Sequence, residues 1–166
     1  MKIICFSRID GELKMVLKGD SCILNNQKPF FIPDWSDDVR MTPCVAVRVS
    51  RLGKNIGARF AERYYDAVAL ALNIHAADYM VKGDWTRAWA FDFSLPIGPW
   101  MAVEDNPWQD LVVSIEDAIE MASQTMTIRQ GDFLVIDRAV ESRQLTNEEV
   151  IRVEENGKDL LCCKIK

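Results

Sequence analysis

A mixed α+β fold, mainly β, is what this sequence predicts, and three observations predict it. Short apolar or valine-rich stretches recur along the 166 residues and are separated by turn signals. Helical apolar spacing is confined to two short segments, one leading from Gly53 through Phe60 to Tyr64 and one following Ser114. Hydrophobic residues make up 49% and charged residues 27%, the balance of an ordinary globular chain with a sizeable core, and this length suits one domain.

The elements follow in order. Met1 to Ser7 and Leu13 to Leu17 read as strands joined across the Asp10-Gly11 turn signal. Lys28 to Asp34 is extended, because Pro29 and Pro33 each disfavour helix at the residue before them. Cys44 to Val49 is valine-rich, as strands are. Gly53-Lys54-Asn55 turns the chain into the first short helix. Ala67 to Ala76 is a long apolar run, the pattern of a strand buried on both faces. Trp89 to Pro99 is irregular, with Pro96-Ile97-Gly98-Pro99 forbidding regular structure. Ser114 caps the second helix, with Asp117 as an approximate capping box and Ile115, Ala118, Ile119, Ala122 and Met126 on one face. Gly131-Asp132 introduces a strand from Phe133 to Ile136, and a hairpin turning at Asn156-Gly157 closes the chain.

Charge and cysteine content exclude several function classes. The net charge is −5 and the basic residues are scattered, so the footprint of a nucleic-acid binder is missing. Cys5, Cys22, Cys44, Cys162 and Cys163 match no zinc spacing, and their odd number argues against a complete disulfide framework. Reduced thiols in a cytoplasmic protein are expected. The apolar start meets Arg8, Asp10 and Glu12 too early for a signal-peptide core or a membrane span.

Trp89-Ala90-Phe91-Asp92 followed by Pro96-Ile97-Gly98-Pro99-Trp100 resembles the fumarylacetoacetate hydrolase family, whose members carry Lys-x-Phe-Asp and then Pro-Ile-Gly-Pro. Pro33-Asp34, Gly53-Lys54-Asn55-Ile56, Asp78, Met126-Thr127, Gly131-Asp132 and Asn156-Gly157 fall in the family's order. The resemblance implies a rolled mixed β-sandwich with two short helices, like the family's C-terminal domain. It spans 29–166, preceded by shortened N-terminal strands over 1–28 that lack the family's helix with its histidine and glutamate. It also implies a homodimer.

The family holds magnesium, calcium or manganese with a Glu-x-Glu pair on one strand and an aspartate on the next. These hard ions favour carboxylate oxygen, and the metal polarises an oxo-acid substrate beside a lysine. Carried over by position, the two glutamates fall on Thr42 and Cys44, the aspartate on Asn73 and the lysine on Trp89. The flanking arginine and glutamine fall on Ala77 and Met80, the glycine-threonine-proline loop on Asp137-Arg138-Ala139, and the Asn-Gly-Glu hairpin is shortened near Asn106 to Asp110. A hydroxyl, a thiol and a neutral amide cannot offset the dehydration of a hard dication, so no metal cofactor is expected. The resemblance therefore implies a pseudoenzyme, acting as a binding, regulatory or partner subunit, homodimeric or paired with an intact paralogue. The rival is an enzyme of the family's hydrolase, isomerase or decarboxylase chemistry on oxo acids with an altered site.

Other residues invite sharper readings. His75, the only histidine, shares the strand face of Asn73, and Cys44 should face the same space. A cysteine–histidine dyad is disfavoured because no orienting carboxylate or oxyanion hole is evident. Asp137 and Arg138 are expected to pair at the surface, and Asp92 to keep a structural hydrogen bond in its loop. Trp85, Trp89, Trp100 and Trp108 are expected in a core or subunit interface before a ligand pocket.

Overall fold

The computed structural model describes residues 1–25 and 27–166. The chain opens with an antiparallel pair, β1 (Ile3–Ile9) and β2 (Glu12–Lys18), turning at Asp10-Gly11, where both residues take positive φ. β3 (Ile23–Leu24) is followed by two long strands, β4 (Val39–Val49) and β5 (Tyr65–Ala76), paired antiparallel. Two five-residue helices follow, α1 (Ala77–Val81) and α2 (Trp85–Trp89), then β6 (Leu95–Pro96). α3 (Ile115–Thr125), β7 (Phe133–Asp137), β8 (Arg143–Gln144) and the hairpin β9 (Val150–Glu155) and β10 (Lys158–Lys164) complete the chain.

The main sheet runs β2-β1-β7-β4-β5, with β8 beside β4. β1 and β7 are parallel while β4 is antiparallel to both its neighbours. One face, carrying Ile4, Phe6, Val45, Val47, Leu70, Leu72, Leu134 and Ile136, packs on Ile115, Ala118, Ile119 and Ala122 of α3. The other carries Ile3, Cys5, Cys44, Ala46, Ala69, Ala71 and Val135 under Cys22, Leu95 and Ile97. β5 is therefore buried on both faces, as its unbroken apolar run predicts.

The helix expected after Gly53 is a 3-10 turn over Ala58–Arg63. The chain before it is fastened to α3 by Asn55 N to Ser123 O and Ile56 N to Ser123 Oγ, each 2.9 Å. α3 begins as expected, Ser114 Oγ accepting from Asp117 N at 3.1 Å. α1 and α2 are additional elements, each shorter than the window over which helical spacing is legible. The extended segment near Pro29 is tied to the end of the chain by Phe30 N to Lys164 O and Ile32 N to Lys166 O, at 2.8 and 2.7 Å.

Gly98 explains the Pro-Ile-Gly-Pro motif. Its N–H donates to Leu70 O at 2.8 Å, and a Cβ there would collide with the Leu160 carbonyl of β10. Only glycine admits this approach of loop, β5 and hairpin.

Candidate functional site

Along the second sheet face the apolar rows give way to polar residues near the ends of β1, β5 and β7 and the start of β4. Ser7 follows Cys5, Asn73 and His75 follow Ala71, Asp137 follows Val135, and Thr42 precedes Cys44 on β4. Side chains alternate across a strand, so each step of two keeps the same face. The register aligns them: Thr42 lies opposite Asn73, and Cys44 stands between Ala71 and Asp137.

Part of this set floors a cleft of about 570 Å³. Ser7, Thr42, His75, Trp89 and Asp137 line it, with Arg8, Arg40, Arg138, Asp10 and Glu141 among the groups around it. Met80 lines this cleft and an adjoining one that Ala77 also lines. Of the positions carried over from the family, Thr42, Met80, Trp89, Asp137, Arg138 and Ala139 line this cleft, Cys44 and Asn73 are fully buried without lining it, and the segment from Asn106 to Asp110 does not line it.

Asp137 is the centre of a closed polar ring. Ser7 Oγ donates to Oδ2 at 2.6 Å; Asn73 Nδ2 donates to Oδ1 at 2.8 Å and to Ser7 Oγ at 3.2 Å. Burial pushes the Asp137 carboxyl up to about 7, against the pull of those two donors and of the Lys18 charge. The surface pair expected between Asp137 and Arg138 does not form: Asp137 is 4% exposed, and Arg138 instead grips Asp110 through two bonds of 2.8 and 2.9 Å. Adjacent strand residues point to opposite sides, which separates the two side chains.

Lys18 was not singled out by the sequence. It is 3% exposed, and its Nζ donates to Trp89 O (2.7 Å), Ile74 O and Ser94 Oγ (both 2.8 Å). Its Nζ also lies 5.4 Å from the centre of the Trp89 ring. A buried lysine from β2 therefore lies beside Trp89, the residue on which the resemblance sets the family's lysine. Burial lowers the Lys18 pKa, opposed by Cys5, Cys22, Cys44 and Asp137 nearby. Ser7 and Lys18 carry no local signature, since a serine in an apolar strand and a lysine at a strand end are both commonplace.

His75 stacks on Trp89, with ring centres 4.9 Å apart and planes 20° from parallel. Burial, with Lys18 and Arg40 nearby, holds its pKa down at about 4, so the ring is neutral at pH 7. Burial raises the Cys44 thiol well above its ordinary range, with Asp137 adding to the rise. A neutral, buried thiol and a stacked imidazole do not make a nucleophile and base. His75 Nδ1, Trp89 Nε1 and Asn73 Oδ1 are buried and have no hydrogen-bond partner among the described residues.

The remaining tryptophans do not gather there. Trp100 packs edge-on against Phe133, Trp108 lies under Arg138, and Trp85 is substantially exposed. Asp92 is exposed and makes no side-chain hydrogen bond among the described residues; its loop is held instead by Phe93 N to Ser21 O at 3.0 Å.

The donor set does not suit the family's metal. The carried-over positions offer a hydroxyl, a buried thiol and an amide whose Nδ2 faces Asp137. No group of three or more His, Cys, Asp or Glu among the described residues is arranged to hold a metal ion. Hard dications need several oxygen ligands, preferably charged, and one hydrogen-bonded carboxyl does not supply them.

Residues 7–111 match the family model described as fumarylacetoacetate (FAA) hydrolase C-terminal, and the chain belongs to the fumarylacetoacetate hydrolase family. It is 22% identical to an uncharacterized protein of Archaeoglobus fulgidus and 24% to one of Methanocaldococcus jannaschii, covering 88% and 87% of this chain. It spans only 66% and 69% of those two proteins' lengths. A 2-hydroxyhepta-2,4-diene-1,7-dioate isomerase from Mycobacterium marinum superposes with a TM-score of 0.84 at 20% identity, over 99% of this chain and 73% of that one. A 5-carboxymethyl-2-hydroxymuconate delta-isomerase from Mycobacterium smegmatis gives 0.83 at 19%, over 99% and 78%. Likeness at such identity establishes the fold alone. No helix among the described residues is long and apolar enough to cross a membrane.

Proposed function

We propose that this family member has lost metal-dependent hydrolysis, a pseudoenzyme in that respect, and keeps its cleft to bind a small organic acid as a binding, regulatory or partner subunit. One observation carries the reading. Where the family places a carboxylate cage, Thr42, Cys44 and Asn73 leave Asp137 as the carboxyl on the floor, already clasped by Ser7 and Asn73. Arg8, Arg40 and Arg138 on the lining are suited to an anionic ligand. Such a subunit would work as a homodimer or beside an intact paralogue, and its mass in solution, alone and mixed with that paralogue, separates the two.

The decisive experiment is thermal unfolding with magnesium, manganese or calcium. The wild type is expected to be unmoved. The triple variant Thr42→Glu, Cys44→Glu, Asn73→Asp should start less stable, because crowded carboxylates desolvate and repel one another, and should regain stability with added metal by mass action. Equal metal responses in both proteins, or none in either, would count against this site assignment.

A second reading, an enzyme acting on oxo acids through an altered site, is favoured by a specific contact. The 2.6 Å bond between Ser7 and Asp137 places a hydroxyl and a near-neutral carboxyl side by side on the cleft floor.

A further inference from the structure

We propose that the concavity formed by segment 53–64 is a binding site for a small phosphate monoester, held by its phosphoryl group between Lys54 and Arg63. It shares no lining residue with the cleft at the polar end of the sheet, so it goes beyond the function proposed for that cleft.

The segment is anchored from both sides. Ile56 and Ala61 are buried in the core, and Asn55 N and Ile56 N are bonded to Ser123 of α3. Gly53 and Ile128 exchange two backbone hydrogen bonds of 3.0 Å. A Cβ on Gly53 would lie 2.5 Å from the Ile56 side chain and 2.6 Å from the Tyr64 ring, so glycine lets the turn close. Backbone fixed in this way sets where the exposed side chains leave it, as a binding site requires. The result is a concavity of about 260 Å³, with Lys54, Asn55, Phe60, Arg63 and Tyr64 on its lining.

Charge says what would enter it. Lys54, Arg59 and Arg63 are exposed, and none has an ion pair among the described residues. Arg59 and Arg63 lie 4.6 and 5.3 Å from the centre of the Phe60 ring, so one aromatic side chain holds two guanidinium groups at the same spot. No carboxylate lines the concavity among the described residues. Those nearby are engaged elsewhere: Glu120 accepts from Ala58 N at 2.6 Å, Glu116 accepts from the Tyr65 hydroxyl at 2.9 Å, and Asp66 pairs with Arg48. Glu62, on the same turn, is exposed and does not line the site. Three unneutralised cations thus gather on one shelf of a chain whose net charge is −5. They repel one another, and a bound anion relieves that repulsion.

The class of anion follows from the donors. A carboxylate brings one charge and two oxygens. A phosphate monoester brings nearly two charges and three terminal oxygens, which suits an ammonium and a guanidinium fork together. Asn55 adds a neutral amide donor on the same lining.

The test is a titration of the isotope-labelled protein with ribose 5-phosphate at constant ionic strength, read by amide NMR. Saturable shifts confined to segment 53–64 and the facing part of α3 are expected. Ribose alone should give none, and acetate should bind at least about 10-fold more weakly. Lys54→Gln and Arg63→Gln change exposed side chains and leave the core intact, and each should weaken binding about 10-fold. Lys158→Gln removes an exposed cation on the C-terminal hairpin and should leave binding unchanged. Shifts that spread over the surface without saturating overturn the proposal. So does binding that survives both Lys54→Gln and Arg63→Gln, or acetate binding as tightly as the sugar phosphate. The reading of the cleft is untouched by these outcomes and rests on the metal titration.

Discussion

Asp137 and His75 sit on one sheet face with their pKa values displaced in opposite directions, up to about 7 and down to about 4. Their contributions to the pH dependence of folding therefore oppose one another. Asp137 binds its proton more tightly folded than unfolded, so its contribution is complete below about pH 4 and is lost as pH rises through about 7. His75 does the reverse: its contribution is present above about pH 6.5 and is lost as pH falls through about 4. Each pKa unit corresponds to about 1.4 kcal/mol, so the two slopes nearly cancel between those limits. The wild type should show a flat stability profile there by urea titration. Asp137→Asn should expose a stability that climbs with pH, and His75→Gln one that falls. Parallel profiles in all three proteins would show that these groups are not displaced as described.

At the scale of elements, the short connections decide how the strands meet. The Pro96-Ile97-Gly98-Pro99 loop lies across β5 and under β10, with Ile97 bridging Ala71 and Gly98 bonded to Leu70. The missing side chain of Gly98 leaves room for the Leu160 carbonyl, a backbone atom that cannot turn aside. Gly98→Ala should therefore cost several times the roughly 1 kcal/mol of an ordinary change of this kind, on the order of 3 kcal/mol in chemical unfolding. Gly11→Ala, where a Cβ meets nothing within 4 Å but φ is +78°, bears only the backbone strain and should cost less. An equal cost at both sites would rule out the close approach as the reason for glycine in the motif.

At the scale of the molecule, Lys18 ties the two edge strands of the main sheet to one another. Its side chain leaves β2 and reaches the Ile74 carbonyl of β5, strands at opposite ends of the sheet order. The same ammonium holds Trp89 O and Ser94 Oγ, setting the floor on which His75 stacks. Lys18→Met fills the volume but leaves buried acceptors without a donor, at about 1–3 kcal/mol each, and should lower stability by on the order of 3 kcal/mol. It also removes a positive charge near Asp137, so the carboxyl should titrate at higher pH, which a carboxyl NMR titration reads. A Lys18→Met protein as stable as wild type would deny the lysine its part in tying the edge strands.

Strand content, the capped helix after Ser114, the C-terminal hairpin and the family were all legible in the residues, because alternation, capping and turn signals act within a few positions of one another. Motif order and strand parity predicted that Thr42, Cys44, Asn73 and Trp89 converge; the register sets Thr42 opposite Asn73, and Thr42 and Trp89 line the cleft while Cys44 and Asn73 are buried and do not. The ring of Ser7, Asn73 and Asp137 was not legible. Its members are separated by 64 to 130 positions, and they meet because β1 pairs with β7, β7 with β4 and β4 with β5. Nor did any local pattern mark Lys18, whose partners lie 56 to 76 residues away across the rolled sheet. Sequence determined which faces of the strands are apolar. Tertiary structure alone decided which buried polar groups became neighbours, and burial among such neighbours displaces the pKa of a carboxyl.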